Sequence, residues 1–173
     1  MGLDMYLTAR HYYGGKWRKK GEWNSKRGHT LSIGGNFAKN SNLNADKVYE
    51  ISSEVAYWRK ANAIHGWFVA NCADGVDNCQ PAYVTHEQLK NLLELCKEVK
   101  RLLDQKKYDT AERLLPPTEG FFFGHNDTSH EWYREEVEET IEQLGKILSN
   151  HEDIVSKLEP TDLGVSYWYE ASW

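Results

Sequence analysis

Tyr57, Trp58, Arg59, Asn62 and His65 fall within one short stretch of the chain. An indole or phenol stacks, a guanidinium forks to a phosphate, an amide reads a hydrogen-bonding edge, and an imidazole donates and accepts. Such a set suits a nucleobase and its phosphate. A competing reading is internal: Asn62 and His65 bond to one another in the core and fix how a helix packs, because buried polar groups need partners.

Other chemistries are less well supported. A metal site can be drawn from His65, Cys72 and Cys79, or from His125, Asp127 and His130, but neither set has the tight paired spacing of common zinc sites. No metal and no cofactor are therefore expected. Glu131, Glu135, Glu136, Glu138, Glu139 and Glu142 spread around a helix and read as its solvated face. The chain has no nucleophile elbow and no phosphate-cradling glycine loop. A binding protein without catalysis is favoured over an enzyme.

The element that must position these residues is read from Val48, Ile51, Val55, Trp58, Asn62, His65 and Val69, which recur at steps of three and four. That spacing predicts one central helix from about Ala45 to Asn71, capped by Asn42 or Asn44, with Asn62 and His65 interrupting an apolar seam. Before it, Leu3 to Tyr13 predicts a strand ending at Gly14-Gly15, and His29 to Ile33 a second short one. After it, Cys72 to Pro81 carries turn chemistry and Ala82 to Val84 suits a short strand.

Thr85-x-x-Gln88 has the form of a capping box, followed by a stripe of Leu89, Leu92, Leu93, Cys96, Val99 and Leu103 that predicts a helix to about Gln105. A shorter helical piece runs from Tyr108 to Leu115, and Glu119 to Gly124 reads as a buried strand. Asp127 or Thr128 caps a last helix with Tyr133, Val137, Ile141, Leu144 and Leu148 on its stripe. Leu163 to Ala171 is β-prone and is expected to pair antiparallel with Leu3 to Arg10. The pattern predicts one α+β domain over residues 1–173, a small mainly antiparallel sheet with three to four helices packed against one face.

A net charge of −5 conceals an asymmetry: the segment from Arg10 to Asn40 is +7 and the remainder −12. Lys19 and Lys20 lie in this basic segment, where they are suited to close over an anion bound near the central helix. With Trp17 and Trp23 interleaved, the same segment also suits single-stranded nucleic acid, or simply a solvated loop. Three cysteines, an odd number, point to a reducing compartment, and no apolar run is long enough to span a membrane.

Three stretches resemble a group of small bacteriophage and prophage proteins: the opening Gly2-Leu3-Asp4-Met5-Tyr6-Leu7, the central Tyr57-Trp58-Arg59-Lys60-Ala61-Asn62 continuing to Phe68, and Phe121-Phe122-Phe123-Gly124 with the helix after it. The resemblance implies a phage origin and the host cytoplasm, and brings over no catalytic residue. Small phage accessory proteins often counter host defence. Two readings follow by analogy. In the first, the chain sequesters an anionic, nucleotide-like molecule, using Arg59, Asn62, His65 and nearby aromatics. In the second, it inhibits a host defence protein through exposed aromatics and the acidic helix, with Trp132 and Tyr133 in contact; a second copy of the chain also stays open as a partner. If Trp58 and Trp67 line a concavity with Arg59, the first gains; if they are packed solid and the exposed aromatics form a flat patch, the second gains.

Overall fold

The computed structural model describes residues 2–12, 50–120, 123, 128, 131–157 and 165–173, with backbone alone for residue 12 and residues 151–157. The basic segment with Lys19 and Lys20, and the strand expected at His29 to Ile33, lie outside the described residues. In chain order the elements are β1 (Asp4–Tyr12), β2 (Glu50–Arg59), α1 (Asn62–Cys72), β3 (Ala82–Val84), α2 (His86–Asp104), α3 (Tyr108–Leu114), α4 (Glu131–Lys157) and β4 (Val165–Ser172).

The expected α+β class is what forms: the described residues make a four-stranded antiparallel sheet in the order β2-β1-β4-β3, together with four helices. Pairing of the last strand with the first also follows expectation, with Asp4 opposite Ser172 and His11 opposite Val165.

Alternation along the strands divides the sheet into two faces. Leu3 just before β1, Met5, Leu7 and Ala9 of β1, with Ala56 and Trp58 of β2 and Tyr167, Tyr169 and Ala171 of β4, are buried under the helices. Into the same core α2 sends Leu89, Leu92, Cys96 and Val99, and α4 sends Tyr133, Val137, Leu144 and Leu148. These are the stripes read from the sequence. Burial pushes the Cys96 thiol up to about 12, which keeps it a neutral packing group. The helix α2 opens with the capping box foreseen at Thr85 and Gln88: Gln88 N donates to Thr85 Oγ1 at 3.1 Å, and Thr85 N donates to Gln88 Oε1 at 2.8 Å.

One expectation is overturned. The single helix from Ala45 to Asn71 does not exist over its described part: Glu50–Arg59 is a strand, and the helix begins only at Asn62. The chain turns between them at Lys60, whose φ is +61°, while Lys60 N donates to Leu3 O at 2.7 Å and Asn62 N to Lys60 O at 2.8 Å. A second correction concerns the strand expected at Glu119 to Gly124. Its described residues, 119, 120 and 123, form no strand, and Phe123 N donates to Gly120 O at 3.1 Å; the rest of that stretch lies outside the described residues.

The outer edge of β2 meets α4 through one side chain. Gln143 accepts from Tyr57 N and donates to Tyr57 O, each at 3.0 Å. Trp58, on the core side, donates its indole N–H to Thr140 Oγ1 at 3.0 Å. Among the described residues no helix is long and apolar enough to cross a membrane.

Candidate functional site

The pleat of β2 separates residues that a helix would have gathered. Trp58 is 1% exposed and tilts against Phe68 at 5.8 Å between ring centroids. Tyr57 and Arg59 project from the opposite face. Asn62 and His65, on α1, belong to the core side with Trp58. The five residues therefore form two groups, one internal and one on the outer face of the sheet.

The internal group is saturated. Asn62 accepts from Thr118 N at 3.2 Å and donates to Phe123 O at 3.0 Å, tying the start of α1 to the segment after α3. Gly66, on the next turn, has no room for a side chain, because a Cβ there would collide with Thr118 Oγ1. His65 is 1% exposed and sits among Phe123, Tyr169 and Trp173, with ring centroids 5.0, 6.2 and 5.6 Å away. Its Nδ1 lies 2.7 Å from Tyr169 Oη and its Nε2 3.1 Å from Asp77 Oδ2. Burial raises the Tyr169 phenol well above its usual range, so it keeps its proton. A carboxylate only accepts, so a neutral imidazole places its hydrogen on Nε2, facing Asp77, and its Nδ1 accepts from the Tyr169 hydroxyl. Asn62 and His65 thus find separate partners instead of bonding to one another.

An Asp–His–Tyr series resembles a relay, but a phenol held in its neutral form is a poor nucleophile. The space beside it, between Val69, Asp77, Cys79 and Trp173, measures about 10 Å3, room for about one water. All three cysteines are free, and among the described residues no three His, Cys, Asp or Glu side chains gather as a metal site. A larger open groove, about 320 Å3, lies against Lys90, Leu93, Glu94, Leu148 and Ser149, with no aromatic ring or arginine among the described residues of its wall.

The outer face of the sheet is different in kind. Tyr6 and Tyr57 are directly opposed across β1 and β2, their ring centroids 5.3 Å apart. The Tyr57 hydroxyl donates to Asp4 Oδ1 at 2.5 Å, which raises the phenol above its usual range, and Arg59 Nε stands 3.9 Å from the same oxygen. Thr8 faces Trp168 across β1 and β4, and Trp168 faces Tyr83 across β4 and β3, with 5.6 Å between those two rings. Tyr6 lies opposite Glu170, so Trp168 is its diagonal neighbour, about 7–8 Å away in strand geometry. The Arg10 guanidinium rests 4.5 Å from the centroid of Trp168. Tyr57, Tyr6, Trp168 and Tyr83 consequently form a diagonal line of rings, one per strand, across the whole sheet.

Of the residues singled out from the sequence, this face holds Tyr57 and Arg59. It adds Tyr6, Arg10, Tyr83 and Trp168, whose signal was legible as the polar half of the alternation Leu3, Met5, Leu7, Ala9 in β1 and Tyr167, Tyr169, Ala171 in β4. Trp132 stands 50% exposed on α4, whereas Tyr133 beside it is buried and donates its hydroxyl to Leu115 O at 2.7 Å. No protein-family model matches the chain, and no curated protein or solved structure matches it either.

Proposed function

We propose that this chain is a phage accessory protein that binds a nucleotide-like anion, without catalysis, on the outer face of its sheet. The observation that carries the reading is the pairing of aromatic rings with arginines on that face: exposed Tyr57, packed beside half-buried Tyr6, on the strand that carries Arg59, and half-buried Trp168 under Arg10. Rings take the base, guanidinium groups take the phosphate, and a flat face holds the ligand without enclosing it. The internal satisfaction of Asn62 and His65 supports a packing role for that pair, and the ligand is accordingly proposed on the sheet and not on the helix. Counter-defence by sequestration remains the biological role implied by the resemblance.

A thermal-shift screen against nucleotides and cyclic nucleotides tests it, since a ligand that binds only the folded chain raises its melting temperature. The expected result is a shift that disappears in Tyr57→Ala and Arg59→Ala, both exposed positions. No shift with any nucleotide, or a shift indifferent to both substitutions, overturns the reading. Inhibition of a host protein is the second reading, favoured by the solid packing of Trp58 on the face opposite Arg59 and by Trp132, half-exposed on the acidic helix; Trp132→Ala abolishing capture of such a protein would establish it.

A further inference from the structure

We infer that the nucleotide of the outer sheet face is a guanine mononucleotide, with Glu170 as the residue that selects the base. This rests on the nucleotide-binding reading and goes further, to the identity of the base and the number of phosphates.

Sheet register places the parts. Tyr57 of β2, Tyr6 of β1 and Glu170 of β4 lie directly opposite one another across three neighbouring strands. In the adjoining row Arg59 lies opposite Asp4. The two tyrosine rings, 5.3 Å apart, therefore stand between a guanidinium at one corner and a carboxylate at the other. Two strands across and two residues along, the backbones of Arg59 and Glu170 are about 12 Å apart in regular strand geometry. A nucleoside monophosphate bridges such a span with its phosphate at Arg59, its base over the rings and the outer edge of the base at Glu170. Glu54 lies to the side of this axis, opposite Thr8.

The chemistry of the carboxylate names the base. Glu170 is exposed, and among the described residues no hydrogen bond or ion pair engages its side chain, which as an anion only accepts. Guanine offers two adjacent donors on its Watson–Crick edge, N1–H and an amino group, and a carboxylate accepts both side by side. Adenine and cytosine set a lone-pair nitrogen beside their amino group. Uracil flanks its N–H with two carbonyl oxygens. Each of these turns a lone pair towards the carboxylate.

The acids also limit the phosphates. Asp4, Glu54 and Glu170 surround the ring pair, and the arginine beside it is Arg59, whose side chain is 66% exposed and meets Asp4 at 3.9 Å. One phosphate is matched there, whereas a triphosphate would be carried towards carboxylates.

The test is isothermal titration calorimetry of the full chain with guanosine, inosine and adenosine monophosphates and with guanosine triphosphate. Expected are affinities falling in the order guanosine, inosine, adenosine, with about tenfold or more between first and last, the discrimination of a good bidentate pair. Inosine keeps N1–H and lacks the amino group, so it isolates one of the two bonds. Glu170→Gln should cost the guanine nucleotide about tenfold and reverse the order, because a carboxamide pairs donor and acceptor with adenine. Glu54→Gln should keep the parent's order, and the triphosphate should bind no more tightly than the monophosphate. Glu170 is exposed, so its near-isosteric substitution tests contact and not folding. Adenosine monophosphate binding as tightly as guanosine monophosphate overturns the inference while the nucleotide reading stands. So does a guanine preference that survives Glu170→Gln or is lost equally in Glu54→Gln, and so does tighter binding of the triphosphate. Absence of binding by every nucleotide overturns both.

Discussion

The side chain of Gln143 on α4 occupies both backbone hydrogen-bonding groups of Tyr57 on β2, as a neighbouring strand would. An edge strand is a template for pairing with another chain, and this contact blocks it beside the proposed binding face. Gln143→Ala is expected to cost about 1–2 kcal/mol, in line with two partly solvated hydrogen bonds. It should also promote self-association. Denaturant titration and sedimentation velocity read the two effects separately, and a variant equal to the parent in both would show that the amide is idle.

Lys60 turns the chain from β2 into α1 with φ at +61°, a conformation that disfavours a side chain. Lys60→Gly is expected to raise stability by up to about 1 kcal/mol, the relief of strain being offset in part by the freedom glycine brings to the unfolded chain. Equilibrium unfolding in urea checks the sign.

His65 and Tyr169 depend on one another. Tyr169→Phe removes the donor to His65 Nδ1 and leaves that nitrogen buried without it, at an expected cost of about 1–3 kcal/mol. His65→Ala should cost as much or more, with loss of ring packing against Phe123 and Trp173. Nucleotide affinity, measured where both variants are folded, should be unchanged. A selective loss of affinity in either would return the binding site to α1.

Glu136 gives the stability a slope with pH. Burial, with Glu139 and Glu135 nearby, pushes its carboxyl up to about 8. An unfolded glutamate titrates near about 4.3. Between those values the folded chain retains a proton that the unfolded chain has released, so the contribution is complete below about pH 4.3 and is lost as pH rises towards 8. Glu136→Gln should therefore melt higher than the parent at pH 8, with the gap closing towards pH 4. Thermal melts across that range decide it, and parallel curves would place the carboxylate in water.

Much of this fold is legible in the chain, and the misreading of β2 has a local cause. The ladder between β1 and β2 shifts register between Leu7 and Thr8, where Val55 is the additional residue. Core-side positions on β2 therefore run Ile51, Ser53, Ala56 and Trp58 in place of strict alternation. Because Val55 is also partly buried, the apolar residues Ile51, Val55 and Trp58 fall at steps of four and three, which is the signature of a helix. Nor does a glycine or proline mark the turn at Lys60, so nothing local announced where strand gives way to helix. The aromatic line was hidden for a different reason: its members come from four separate strands, and only the register of the sheet brings them together.

The order β2-β1-β4-β3 also governs when the protein can take shape. Of the described strands β1 is made first and β4 last, and Tyr6 finds Glu170 only after the described helices have been made. Until then β1 offers an unpaired edge, and the four rings have no common plane. A nascent chain can form its helices and the β1–β2 ladder early, but the proposed binding face is completed in a single late step, and a chain cut short before β4 lacks it.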